Sequence, residues 1–304
     1  MYKREIKNLI KNIKKPEKPK KIDLVLEGGS FNGMYHFGAL LFLKELEKEG
    51  IIKIDRISGV SVGSYCAVLY LTNNIEKYID IFKVIRENWK KKQNLSILKN
   101  IIKKFVDDLD DKTFNNIKEN KLFICYNNIK NKEKIVKHKY KNKEDLMKAL
   151  ENSSYIPHIS NKEYCNEGFF IDGGMPHIFE NREINSEKKI LYISISQLNN
   201  IKNMIVAKDI NGCGRILYGI LKCYEFFFNN KNNNMCSYVN NWNILDYLFI
   251  RSKQIFVSLI IYLLILIYNL KKVLEPYIEN NSFILILKCI LKEFYKDIVL
   301  NYCF

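Results

Sequence analysis

The chain has 304 residues, of which 47% are hydrophobic and 13% aromatic, and carries a net charge of +16 from 49 Lys and Arg against 33 Asp and Glu. That much apolar material excludes wholesale disorder and suffices for one large domain or two modest ones, at roughly 150 residues per domain. The charge by itself does not define a nucleic-acid binder: Lys, Asn and Ile are abundant throughout while Arg stands only at 4, 56, 86, 182, 215 and 251, the bias an AT-rich coding sequence imposes.

Residues 1–21, MYKREIKNLIKNIKKPEKPKK, read as a basic, Pro-broken leader with one short helix. They lack the apolar core of a secretory signal, so an intracellular setting is expected. The basic runs at 11–21 and 90–93 (KKKQ) carry no nucleic-acid-binding motif, and no nucleic-acid partner is expected. Attraction to an anionic membrane surface survives, because it needs charge without base readout. The eight cysteines, at 66, 125, 165, 213, 223, 236, 289 and 303, form no CxxC pair and have no His at metal-ligand spacing. No metal, cofactor or disulfide scaffold is expected, and the sequence is silent on oligomeric state.

Order begins at IDLVL (22–26), an aliphatic run stopping at Gly28 that predicts a buried strand. An amphipathic helix follows from Gly33 and is closed by Gly50. IDRIS (54–58) repeats the theme as a strand, then GVSVG (59–63) as a turn and Ser64 onward as a helix. Two such units in succession predict parallel α/β layering, with helices packed on a central sheet. Residues 75–120 predict a lysine-rich helical excursion, 121–128 and 132–140 strands, 144–153 a helix, 168–176 a strand entering a turn, and 188–196 a buried strand.

The Asn-rich stretch NNKNNN (229–234) suggests a linker or surface loop. The expected divisions are therefore 1–21, a catalytic domain over 22–228, and an apolar helical region over 229–304. Within the last, IFVSLIIYLLILIYNL (255–270) is apolar on all sides. At 1.5 Å per residue it spans roughly 24 Å, short of the roughly 30 Å hydrocarbon core, so it is expected to hide either in protein or in lipid. Residues 283–300 show one apolar and one lysine-bearing face, suiting a helix packed on a protein or membrane surface.

Three motifs bear chemistry. In GVSVG, Gly59 and Gly63 flank Ser61 between a strand and a helix, the nucleophile-elbow pattern that pushes a hydroxyl into the open; standing alone it is equally an ordinary βα corner. A serine needs a base, and the histidines at 36, 138, 158 and 177 do not supply the usual triad order and spacing. In FFIDGG, Asp172 ends a strand before Gly173 and Gly174; it is either a simple turn or a carboxylate that acts directly as the base if burial raises its pKa. In EGGSFNG (27–33), Gly28, Gly29, Ser30 and Gly33 fit neither the dinucleotide fingerprint nor a P-loop. Their backbone amides, ahead of a helix N-terminus, suit an oxyanion hole.

These motifs resemble, in order, the GGG-x-Arg/Lys-G loop, G-x-S-x-G elbow and Asp-Gly-Gly/Ala turn of the patatin-like phospholipases. The Ser-rich run NSSYIP (152–157) adds to the likeness, which covers about residues 22–200. The resemblance implies a three-layer α/β/α fold with a mostly parallel sheet and a lipid acyl hydrolase. Ser61 would attack an acyl ester, Asp172 would take its proton, and the 28–33 loop would hold the oxyanion. Ser30 replaces the third glycine and Asn32 the basic residue, so a catalytically weak, membrane-associated binding or scaffold protein is the alternative.

Overall fold

The computed structural model describes residues 2–157, 159–161, 163–180, 188–197, 204 and 212–279, with 286, 289–291, 293, 294 and 297 beyond them. The expected helix over 283–300 therefore lies largely outside the described residues, as does His158. Four strands form a parallel centre: β1 (Lys20–Leu26), β2 (Ile52–Val60), β3 (Glu119–Asn128) and β6 (Lys189–Ile193). Antiparallel strands complete it: β4 (Glu133–Lys139) and β5 (Phe170–Asp172) pair with β3, and β7 (Cys236–Tyr238) pairs with β6. The order is β4-β3-β2-β1-β6-β7.

Helices flank this sheet, giving a mixed α/β fold consistent with the α/β/α expectation. α1 (Lys3–Ile10) and α2 (Gly33–Lys48) pack with α8 (Cys213–Asn229). Of the helices that follow the second strand, α3 (Val62–Leu71), α6 (Asp111–Ile117) and α7 (Lys143–Ser153) pack against β3, while α5 (Ile97–Asp107) packs on α7 and α4 (Ile81–Lys92) on α5. The two-residue alternation of a strand sorts β1 cleanly: Ile22, Leu24 and Leu26 join the large core under these helices, while Val25 joins a smaller core on the opposite face with Phe123, Ile190 and Tyr192.

That smaller core is closed by Ile250 and Val257 of α9 (Ile244–Glu279), so the chain beyond 228 is woven into the fold. The Asn-rich stretch is the surface turn from α8 to β7, and β7 re-enters the sheet beside β6. Sequence patterning predicts neither α8 nor β7. α8 crosses α2 at very close range: a Cβ at Gly38 would lie 1.9 Å from the Ile216 carbonyl oxygen, and one at Gly219 would lie 2.1 Å from that of Tyr35.

α9 is not a core helix. Its first turns dock through a stripe at 250, 253, 254 and 257, but Leu248, Phe256, Leu259, Ile260, Leu263 and Leu266 are all exposed. By length and composition alone the segment Ile244–Ile267 is long and apolar enough to cross a membrane, and among its described side chains only Ile250 is buried.

Candidate active site

The three motifs converge because of strand register. β2 pairs with β3 as far as Val60 opposite Cys125, and β5 takes over the same edge of β3 with Asp172 opposite Tyr126. The two chains thus run head-on along β3 and must both turn away where they meet. One turn carries Ser61 and the other carries Asp172. On the other side β1 aligns Leu26 with Gly59, which sets Glu27 and Gly28 beside Val60 and Ser61. All three loops leave the carboxyl ends of strands or abut them, the usual crevice of an open parallel sheet.

Ser61 adopts φ 53°, ψ −130°, a conformation a side-chain-bearing residue rarely takes, ahead of the first turn of α3. No larger residue fits beside it: a Cβ at Gly59 would lie 2.5 Å from the Gly63 carbonyl oxygen, and one at Gly63 would lie 2.6 Å from that of Leu26. The Ser61 amide donates to Ser153 Oγ at 3.0 Å, and Ser153 Oγ donates onward to the Cys125 carbonyl at 2.7 Å. A neighbouring bond ties Ser154 Oγ to Tyr65 of α3. The Asp172 amide donates to the Tyr155 carbonyl at 2.8 Å. The run NSSY therefore braces both turns, a role its sequence likeness did not specify.

Asp172 keeps some accessibility as a residue, but its carboxyl is surrounded by protein, and this burial pushes its pKa up to about 6. The neighbouring Ser61 side chain, the Gly174 amide at 2.7 Å and the Lys134 ammonium act in the opposite direction. Gly173 passes over the end of β3, where a Cβ would lie 2.6 Å from the Cys125 carbonyl oxygen, and Gly174 sits at φ +66°. Histidine takes no part among the described residues. His36 is buried, neutral and donates from Nε2 to the Glu27 carbonyl at 2.7 Å; burial drives its pKa down to about 4. His138 pairs with Asn120, and His177 stacks on Phe123.

The glycine-rich loop lies against the elbow: a Cβ at Gly28 would sit 3.2 Å from Ser61 Cβ. No hydrogen-bond acceptor is found for the amides of Gly28, Gly29 or Ser30 among the described residues. Gly33 differs from expectation. Its amide is turned back onto the Ser30 carbonyl, closing a short 3-10 turn over Ser30–Asn32, and its missing side chain admits Val62, whose Cγ2 lies 2.2 Å from where a Cβ would stand. Ser30 holds φ 48°, so the backbone course open to glycine is kept without one.

Asn32 is wholly buried and donates to the Ile195 carbonyl at 2.8 Å. Arg215 of α8, also buried, reaches its Oδ1 at 3.4 Å and lies over the Phe82 ring. A guanidinium thus stands behind the position where the motif lacks a cation. Phe31 fastens the loop by edge-on contacts to Phe82 at 5.5 Å and Trp89 at 6.4 Å, both on α4. Sequence patterning does not single out Phe31 or Arg215, and it marks Ser153 only as part of the NSSYIP likeness; the signal for Phe31 is a bulky aromatic inside an otherwise small-residue loop.

An apolar cavity of about 80 Å³ opens from Ser61 and Ser30 and runs beneath α4 and α5, lined by Met34, Phe37, Ile81, Phe82, Leu95 and Leu98. The helical excursion thus roofs an apolar channel. On the Asp172 side a second cavity, about 370 Å³, lies between α9 and the β3–β4 turn, bordered by Gly173, and is lined by Lys132, Lys134, Met175, Arg251, Gln254 and Tyr262. No group of His, Cys, Asp and Glu suited to a metal ion occurs among the described residues.

A mixed α/β sheet with a serine on a tight strand–helix turn, a carboxylate on the abutting strand and a run of amides beside them defines a hydrolase-like crevice. The family model described as patatin-like phospholipase matches residues 24–182, more than half of the chain, and the chain belongs to this family. Membership places it among the lipid acyl hydrolases, with lipid acyl esters as the substrate class. No individual curated protein matches the chain significantly.

Proposed function

We propose that the protein is a phospholipase A-type serine esterase working by a Ser-Asp dyad at a membrane surface. The observation that carries this reading is the convergence of Ser61 and Asp172, whose strands end opposite consecutive residues of β3, beside amides that have no other acceptor among the described residues. Ser61 Oγ attacks the ester carbonyl while its proton passes to Asp172. The amides of Gly28, Gly29 and Ser30 stabilise the tetrahedral oxyanion, and each such donor is worth about 2.7–4 kcal/mol in reactions of this type. Protonated Asp172 then gives its proton to the departing alcohol. Water, deprotonated by the same carboxylate, hydrolyses the acyl-serine and restores the site.

The two cavities support a phospholipid: an acyl chain under α4 and α5, and a phosphate-bearing headgroup toward Lys132, Lys134 and Arg251. The φ of Ser30 argues against the scaffold alternative, since the loop keeps its course despite the lost glycine.

The exposed apolar sides of α9 support membrane attachment, because contiguous apolar surface on this scale marks a protein or lipid contact. Docking of Ile250, Lys253 and Val257 on the catalytic core favours a helix lying along the bilayer surface there over one crossing it from 244 to 267.

A serine-directed fluorophosphonate should label the wild-type protein and not Ser61→Ala, and Ser61→Ala should abolish acyl-ester hydrolysis. Unchanged hydrolysis by that variant refutes the assignment. Removal of residues 258–304 should release the protein from vesicles while leaving soluble-ester hydrolysis intact. Retained binding would refute the role of α9.

A further inference from the structure

Glu27, the residue before the oxyanion loop, is 1% exposed. Its carboxylate accepts from Ser194 Oγ at 2.8 Å, from the amides of Ile195 at 2.9 Å and Ser196 at 3.0 Å, and from the Tyr192 hydroxyl at 3.2 Å. Its carbonyl is held by His36. The charged partner among the described residues is Lys253 of α9, which hydrogen-bonds Oε1 and is itself only 17% exposed. Burial alone would protonate this carboxyl; the Lys253 charge and the donated amides outweigh it and hold the pKa below the usual range.

The consequence reaches the loop in one step. Ile195, fixed by Glu27, accepts from Asn32 at 2.8 Å, and its Cδ1 lies 3.0 Å from where a Cβ on Gly29 would stand. Both ends of the segment bearing the free amides are therefore referenced to residues that an ionised Glu27 holds. Protonated, Glu27 would lose the charge that strengthens its bonds from the Ile195 and Ser196 amides, and an O–H on Oε1 would face the Tyr192 hydroxyl that donates to that oxygen. Four residues along the same face of α9, Val257 Cγ1 lies 2.2 Å from where a Cβ on Gly174 would stand, and the Gly174 amide orients the Asp172 carboxylate. One short stretch of α9 thus touches the supports of both the oxyanion amides and the base, while the sides of that helix turned away from the core are apolar and exposed.

We propose that Lys253 is a positioning residue for the oxyanion loop, supplied by the helix that meets the lipid, so that the loop is set only when α9 is seated on the core. The proposal rests on the hydrolase reading above. Among the described residues the groups facing Glu27 are Tyr192 from β6, His36 from α2, Ser194 and the Ile195 and Ser196 amides after β6, and Lys253 from α9, and of these Lys253 is the cation.

The test is steady-state hydrolysis of a soluble short-chain ester by the full chain across pH 5–9, comparing wild type, Lys253→Met and Lys253→Arg. Lys253→Met should lower kcat at least tenfold at pH 7 with KM within about twofold. Its activity should recover as pH rises, moving the acid limb up by one pH unit or more as Glu27 ionises only at higher pH. Lys253→Arg should restore both kcat and the limb. Should Lys253→Met fail to fold, Lys253→Gln, which keeps a donor without the charge, carries the same expectation. A lowered kcat with an unmoved acid limb, or no change at all, overturns the coupling alone. Absence of ester hydrolysis by the wild type overturns the coupling and the hydrolase reading together.

Discussion

Replacing Asp172 by Asn should make the protein more stable and inactive, and the stability gain should depend on pH. The carboxyl titrates near 6 in the folded chain against 3.8 for an unperturbed Asp. A difference of about 2 units corresponds to about 3 kcal/mol of penalty for holding the ionised form in its buried site. Because the folded pKa is the higher one, the native state binds the extra proton, and wild-type stability rises as pH falls from about 6 toward about 4. The Asp172→Asn side chain does not titrate, and its amide oxygen can still accept from the Gly174 amide. The variant should therefore exceed wild type by up to about 3 kcal/mol at pH 7–8, and the two should converge near pH 4. Urea unfolding at several pH values measures the difference directly, and the wild-type ester hydrolysis rate should fall as pH drops through about 6. A stability difference independent of pH would show that Asp172 is not held in a costly ionised state, and would remove the physical basis for its use as a base at neutral pH.

Three further outcomes are expected. Ser61→Gly and Ser61→Ala should both be inactive, but the Gly variant should be more stable by about 1 kcal/mol, since only it relieves the φ of 53° against the entropy glycine adds to the unfolded chain; equal urea midpoints would argue against stored strain. Ser153→Ala leaves the Ser61 amide and the Cys125 carbonyl without their shared partner, costing about 1–3 kcal/mol in urea unfolding, and should lower kcat more than it raises KM. Gly38→Ala or Gly219→Ala should each cost about 3 kcal/mol by forcing α2 and α8 apart, and the double variant should cost far less than the sum in the same assay, because both residues serve one crossing.

Much of the fold is legible where the governing interactions are local. The apolar runs of β1 and β2 stop at glycine-bearing turns and restart as helices, and those periodicities survive in the folded chain. Elements whose formation depends on a distant partner are not legible in this way. β7 is three residues long and exists because β6 offers an edge. α8 carries Gly219, which counts against a helix in isolation, yet at the α2 crossing it is the residue the packing requires. The exposure of α9 is likewise a tertiary fact: its composition is compatible with core or lipid, and the choice between protein burial and a surface is made by the open outer sides it presents among the described residues.

The same distinction applies inside the site. Ser61 and Asp172 are separated by most of the catalytic region, and no spacing rule joins them. They meet because β2 and β5 terminate opposite consecutive residues of β3, Cys125 and Tyr126, so the distance between the two chain ends is set by a single residue step of about 3.3 Å along one strand. A chemical pair defined this way tolerates wide variation in the intervening loops and helices, provided β3 and its two neighbours keep register. It does not tolerate side chains at Gly59 or Gly173, where a Cβ would meet a carbonyl oxygen at 2.5 Å and 2.6 Å respectively. The glycines that flank the reactive residues are thus steric conditions for two opposed strands to end at one point. That is why the motifs are readable in sequence, while the braces Arg215 and Lys253 are not, and the run holding Ser153 is visible there only as a likeness without a role.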